Sequence, residues 1–187
     1  MAVLNLITPL DTMCLSWDDA ERQNGRRLVR FHKVQEGCIL SVTCKGIHPE
    51  EYGEGDAVVS CIRRDDGGGH CITSVDIINL LEKLVDEKFE VEEKNRIRRN
   101  IEGLKPTPLK KGQPALEDLY TRIMEYPDPK PRNIEKDIKV FDWNILPQAL
   151  LKIISRYVWL PHIRWSHLTE ADRFNVVARI PQYNPLF

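Results

Sequence analysis

Basic and amide side chains are concentrated between positions 94 and 99, in a stretch whose apolar residues recur at helical spacing. Lys94, Asn95, Arg98 and Arg99 belong to this stretch. Residues four apart share a helix face, so Lys94 lies beside Arg98, and Asn95 beside Arg99. The guanidinium group of arginine is planar and permanently charged, and it can donate paired hydrogen bonds to a phosphate or to guanine. The four residues are therefore candidates for DNA contacts.

The same helix is also compatible with an exposed face that is paired internally. Glu92 precedes Arg96 by four residues, and Arg98 precedes Glu102 by four. Such i, i+4 pairs stabilise a helix and would occupy two of its arginines. The sequence leaves both interpretations open.

Further cations stand on the loops that follow this helix. Lys105, Lys110 and Lys111 lie in a connector rich in proline, lysine and glycine, and Lys130 and Arg132 lie in a proline-rich segment. They are candidate phosphate contacts, and the alternative is ordinary solvated loop charge.

Two histidines and two cysteines have a spacing that could suggest zinc. His32, Cys38, Cys44 and His48 form an H-x5-C-x5-C-x3-H pattern, and zinc accepts two thiolates with two imidazoles. However, Cys38 and Cys44 fall at the two ends of a predicted strand, roughly 20 Å apart. We therefore predict no metal site.

Motifs of catalysis are absent from the sequence. The glycines at 67–69 are not followed by the Lys-Ser/Thr of a phosphate loop, and there is no G-x-S-x-G, H-E-x-x-H or dinucleotide fingerprint. We expect no catalytic residues, no cofactor and no enzymatic activity.

The composition is that of a globular protein with an uneven charge. The chain has 187 residues, 42% of them hydrophobic, and a net charge of −1. Residues 1–93 carry −8, whereas residues 94–139 carry +5. This asymmetry suggests an anionic partner for the middle of the chain, or neutralisation of one part by the other. No apolar run is long enough for a membrane span, so no membrane partner is expected.

The number and spacing of the cysteines indicate the cellular compartment. Five cysteines without a C-x-x-C pair are typical of reduced thiols in the cytosol or nucleus.

The pattern of elements predicts an α+β fold, in which N-terminal antiparallel strands with a hairpin are followed by a cluster of about four helices. The predicted strands are 27–31, 38–44, 57–62 and 70–73, the last two joined as a hairpin. The predicted helices are 74–85, 91–102, 115–126 and 145–157. Residues 133–143 are compatible with a short helix or a strand, and residues 105–114 read as a connector.

Three regions are expected: a loosely ordered lead-in at 1–25, a single α+β domain at 26–157, and a tail of uncertain fold at 158–187. Apolar stripes on the helices predict one shared core. It contains Ile77, Leu81, Leu84, Ile97 and Ile101, together with Val59 and the helix at 145–157.

Four runs in order resemble the central domain of medusa-type fungal developmental regulators. They are GDAVVSCI (55–62), ITSVDIINLLEKL (72–84), FEVEEKNRIRRNIEG (89–103) and MEYPDPKPRNIEKDIKVF (124–141). The resemblance covers roughly residues 26–157. It implies a nuclear protein that regulates transcription in spore formation and morphogenesis, without catalytic residues. The long polar flanks of such regulators are missing here.

A second likeness is architectural. The fungal APSES and viral KilA-N DNA-binding domains also place a strand hairpin before a pair of helices. Their Asn-Ala-Thr signature is replaced here by Ile-Thr-Ser-Val-Asp at 72–76.

These observations favour a nuclear, non-enzymatic domain that binds DNA. The alternative is a protein-interaction module of a transcription complex, with other regulatory proteins as partners. Its partner surface would be the acidic N-terminal half or the aromatic tail, which contains Trp159, Trp165, Phe174, Tyr183 and Phe187.

Overall fold

A seven-stranded sheet organises the protein. The computed structural model describes residues 3–133 and 138–155. The strands are β1 (Val3–Leu6), β2 (Arg26–Glu36), β3 (Ile39–Ile47), β4 (Val58–Arg63), β5 (His70–Thr73), β6 (Thr107–Leu109) and β7 (Ile138–Asp142). They lie in the order β1-β3-β2-β4-β5-β7-β6. β1 is parallel to β3 and the other neighbours are antiparallel, so the sheet is mixed.

Helices pack on both faces of this sheet. Within the described residues they are α1 (Asp19–Asn24), α2 (Ser74–Val85), α3 (Val91–Glu102), α4 (Glu117–Glu125) and α5 (Leu146–Ile154). A larger core joins α2, α3 and α5 to the sheet, and a smaller one joins α4 to it. Cys61 belongs to the first core and its neighbour Ile62 to the second. Because adjacent strand residues point to opposite faces, the two cores lie on opposite sides of the sheet.

Helix α2 forms where its sequence predicts. Its N-cap is Thr73, whose Oγ1 accepts a hydrogen bond from the backbone N–H of Asp76 at 3.1 Å. The helix ends at Asp86, which takes a left-handed conformation. Its apolar stripe is fully buried, and the predicted core is confirmed. The cluster contains Ile77, Leu81, Leu84, Ile97, Ile101 and Val59 together with the buried residues of α5.

The predicted hairpin is also confirmed. β4 pairs with β5 in antiparallel register, with Ile62 opposite Cys71. Gly67 and Gly69 in the connecting turn have φ values of +78° and +75°, a region that favours glycine. The Asp66 carboxylate accepts the N–H of Gly68 at 2.9 Å, which fixes the turn.

The predicted fold class is wrong, because the helices do not form a separate cluster after the strands. Two strands, β6 and β7, are interleaved with the helices, and β7 lies inside the sheet between β5 and β6. Val140 of β7 belongs to the smaller core and Phe141 to the larger one. A strand that is buried on both faces lacks a simple alternation of apolar and polar residues, so its pattern also fitted a helix.

The expectation of a loosely ordered lead-in at 1–25 is wrong for residues 3–25. β1 pairs with β3, and Leu10 and Trp17 are buried in the larger core. The indole N–H of Trp143 donates to the carbonyl of Leu10 at 2.7 Å. The segment therefore contributes an edge strand and core side chains.

The predicted tail at 158–187, including its aromatic residues, lies outside the described residues. Among the helices that the structure describes, none has the length and apolarity needed to cross a membrane.

Candidate functional site

Helix α3 carries four of the predicted DNA-contacting residues and is packed against the larger core. Ile97 and Ile101 are buried in the larger core, so the opposite side of the helix faces solvent. Arg99 is exposed and has no hydrogen-bond or ion-pair partner among the described residues. Lys94, in contrast, pairs with Glu82 of α2 at 3.0 Å. The positive charge that α3 presents is therefore concentrated at its C-terminal half.

The pairing of Arg96 and Arg98 differs from the internal i, i+4 pairing that the sequence suggests. Arg98 donates through Nη1 to the side-chain oxygen of Asn95 at 2.9 Å, and not to Glu102. Glu102 instead pairs with Lys139 of β7 at 2.8 Å. Arg96 contacts Glu93 at 2.7 Å. Consequently no carboxylate among the described residues neutralises Arg98, because its partner is the neutral side-chain amide of Asn95.

A groove with a volume of about 220 Å³ lies between the beginning of α2, one side of α3 and strand β7. Its lining includes three cationic side chains and one carboxylate. The lining residues are Ser74, Val75, Asn95, Arg98, Ile101, Glu102, Arg132, Asn133, Ile138, Lys139 and Phe141. The groove thus combines an apolar floor with a net positive wall.

Arg132 reaches this groove from the proline-rich segment, over 30 residues along the chain from Arg98. Its Nε donates to the carbonyl of Met124 at 2.9 Å, and its Nη2 donates to the same oxygen. Two donors on one carbonyl oxygen restrict the orientation of the guanidinium. Nη1 has no partner among the described residues, so it remains available to a ligand.

The structure brings together three of the nine predicted residues, namely Asn95, Arg98 and Arg132. The four predicted loop lysines do not line the groove. Lys105 is exposed two residues beyond the C-cap of α3 and has a left-handed φ of +57°. The remaining three, Lys110, Lys111 and Lys130, are also exposed.

Sequence reasoning missed three polar residues of the groove: Ser74, Asn133 and Lys139. Lys139 follows from the assignment of β7 as a strand, since it alternates with the buried Ile138 and Val140. Ser74 follows from the helix start at Thr73, which was visible in the sequence. No sequence pattern indicated that Asn133 would line a groove.

A buried polar cluster lies elsewhere in the sheet and does not join the groove. The carboxylate of Asp76 accepts the backbone N–H of Ser60 at 2.7 Å, and Nε of Arg26 donates to Ser60 Oγ at 3.0 Å. Burial raises the pKa of Asp76 to about 6, against the opposing effects of Ser60 and Arg26. Arg26 also stacks over the ring of Tyr126 at 4.8 Å. The cluster joins β2, β4, α2 and the end of α4.

In the part of the chain that the structure describes, no three His, Cys, Asp or Glu side chains are grouped in a way that could hold a metal ion. Cys44 is buried in the larger core, whereas Cys38 is exposed at the turn between β2 and β3. His32 lies opposite Thr43 in the β2–β3 register, next to the Phe31–Cys44 pair.

The family model described as "Domain of unknown function (DUF7082)" matches residues 1–154, and the chain belongs to this family. Comparison with curated proteins and with solved structures found no match. The function must therefore be argued from the groove and the surface of α3.

Proposed function

We propose that this chain is a nuclear regulatory domain that binds DNA through helix α3 and the adjacent groove. The resemblance of four sequence runs to medusa-type regulators supports the nuclear and regulatory part of the proposal. The observation that carries the DNA-binding part is the position of Arg98 and Arg99. Arg99 is exposed on the side of α3 opposite Ile97 and Ile101. Arg98 is half-buried at the flank of the helix and shares the groove with a third guanidinium, that of Arg132.

The physical basis is electrostatic. Arginines that have no carboxylate partner keep their charge available for phosphates, and each phosphate contact releases counterions from DNA. α3 is held against α2 and α5, so its arginines require little reorganisation before binding. Lys105, two residues beyond the C-cap of α3, is an exposed cation that could add a further phosphate contact.

The test is a fluorescence anisotropy titration with random-sequence duplexes at two salt concentrations. We expect the parent to bind more weakly at the higher salt. The double variant Arg98→Glu/Arg99→Glu should lose most of this binding. The matched control is Arg22→Glu/Lys45→Glu, which changes net charge by the same amount on α1 and β3 and should bind like the parent.

A folded Arg98→Glu/Arg99→Glu variant that holds DNA as tightly as the parent would exclude α3 as the contact surface. Folding is checked by near-UV circular dichroism and by the urea midpoint.

One observation favours the second candidate, a protein-interaction module. Three exposed apolar side chains, Val3, Val34 and Ile39, lie where β1, β2 and β3 adjoin, at an edge of the sheet. Exposed apolar groups on an open edge are a common docking surface. This candidate predicts negligible DNA affinity of the parent at physiological salt in the same titration.

A further inference from the structure

We infer that the groove between α2, α3 and β7 is a binding site for a single phosphoryl group. This goes beyond the proposed DNA interface, because the groove would accept a phosphate of any origin. It rests on three features of the described residues: the volume of the groove, its charge, and the hydrogen-bond donors that its own contacts leave unused.

The volume is sufficient. A cavity of about 150 Å³ accommodates a benzene ring in other proteins. At about 220 Å³, the groove has room for a tetrahedral oxyanion and part of the molecule that carries it. Val75, the half-buried apolar residue of the lining, would contact that remaining part.

The charge favours an anion. Among the described lining residues, three are cationic, Arg98, Arg132 and Lys139, and one is a carboxylate, Glu102. Lys139 and Glu102 neutralise each other at 2.8 Å, so the two guanidinium groups supply the remaining charge. A doubly charged phosphate monoester matches two such groups.

The guanidinium groups of Arg98 and Arg132 are held by hydrogen bonds that leave some of their N–H groups unused. Asn95 holds one nitrogen of Arg98 and leaves Nε and Nη2, while Met124 holds two nitrogens of Arg132 and leaves Nη1. The hydroxyl of Ser74 has no hydrogen-bond partner among the described residues and belongs to the same lining. Preorganised donors of this kind lower the entropic cost of binding.

The variant Ser74→Asp tests the site without dismantling it. Position 74 is the first residue of α2, where a carboxylate is favourable for the helix, so the fold should be retained. In the groove, this carboxylate would compete for the arginine donors and repel an anion. Val91→Asp is the matched control, because Val91 is the first residue of α3, is exposed, and lies outside the groove.

The probe is inorganic phosphate, titrated into ¹⁵N-labelled protein at constant ionic strength, with chloride as the reference anion. We expect saturable amide shifts at residues 74 and 75 in the parent and in Val91→Asp. Ser74→Asp should bind phosphate at least about tenfold more weakly. Absence of saturable shifts in the parent, or equal affinity in Ser74→Asp, would overturn the inference.

A second arm distinguishes the source of the phosphate and separates this inference from the proposed function. Duplexes with and without a 5′-phosphate are titrated into the parent and Ser74→Asp. If the 5′-phosphate or the backbone occupies the groove, Ser74→Asp weakens duplex binding. If only inorganic phosphate binding is lost, the groove takes a small phosphorylated molecule and DNA binding stands or fails with Arg98 and Arg99 alone. Both results support the site.

Discussion

Asp76 is a buried carboxylic acid with a raised pKa. Its side chain is 3% exposed, and burial raises its pKa to about 6 from the usual 3.8. A raised pKa means that the folded protein binds the proton more tightly than the unfolded chain does. The resulting stabilisation is complete below about pH 4 and is lost as the pH rises through about 6.

We therefore predict that the free energy of unfolding of the parent, relative to Asp76→Asn, falls as the pH rises from 4 to 7. The fall should approach about 3 kcal/mol, from the pKa difference at 1.36 kcal/mol per unit. Urea unfolding of both proteins at four pH values measures it. A difference that increases with pH would show that Arg26 and the Ser60 N–H stabilise the carboxylate more than burial penalises it, and a constant difference would show that the two effects balance.

Gly25 is constrained by its backbone and also by a neighbour. Its φ is +63°, and a Cβ atom there would meet Nη1 of Arg122 at 2.8 Å. Arg122 cannot move freely, because it pairs with Asp65 at 3.0 Å and donates to the carbonyl of Arg63. Gly37 has nearly the same φ, +59°, but nothing within 4 Å.

These two glycines form a matched pair. Gly37→Ala should cost about 1 kcal/mol of unfolding free energy, which is the backbone cost alone. Gly25→Ala should cost this amount and in addition about 1 to 3 kcal/mol for overpacking. Equal urea midpoints for the two variants would show that Arg122 shifts without cost.

At the scale of elements, α2 is the centre of the larger core. Leu81 is fully buried, and α2 contacts β4, β5, β7, α3 and α5. Truncation of a leucine in such a position leaves a cavity that the surroundings fill only partly.

Leu81→Ala is accordingly expected to lower the unfolding free energy by about 2 to 5 kcal/mol. Leu151→Ala on α5 is the control, since Leu151 is 47% exposed and should cost less than about 1 kcal/mol. Urea denaturation compares the two. A loss at Leu81 no greater than that at Leu151 would contradict the core assignment.

The elements differ in how far their sequences reveal them. α2 and the β4–β5 hairpin are determined locally, by a cap, an apolar stripe and a glycine turn, and the sequence predicted them. β1 and β6 are short edge strands of four and three residues whose conformation depends on partners distant in the chain. β7 is buried on both faces, so its apolar pattern did not distinguish a strand from a helix. Local propensity cannot report such long-range pairing.

The candidate site shows the same division. The α3 arginines were visible because they are consecutive, and the exposed side of the helix followed from its period. The inclusion of Arg132 and Lys139 in one groove depends on β7 lying in the sheet beside β5. The pairing of Lys94 with Glu82 likewise depends on how α3 packs against α2. The sequence therefore suggests which residues could bind DNA. It does not show which of these residues lie on the same surface.

At the scale of the whole molecule, the near-zero net charge conceals the separation of an acidic half from a basic middle. Attraction to DNA would then arise from the uneven distribution of charge over the protein. The affinity for DNA should depend strongly on salt concentration. Each phosphate contact contributes about −0.9 to the slope of log affinity against log salt for duplex DNA.

The change in the slope of log affinity against log salt can distinguish an unpaired cation from a paired one on α3. Arg99→Gln removes an exposed charge without a described partner, and should reduce the magnitude of the slope by about 0.9. Lys94→Gln removes an equal charge from α3, but Lys94 already pairs with Glu82 at 3.0 Å, so the slope should remain that of the parent. Anisotropy titrations at four potassium chloride concentrations measure both. A larger change for Lys94→Gln than for Arg99→Gln would mean that DNA lies at the beginning of α3 and breaks the Lys94–Glu82 pair on binding.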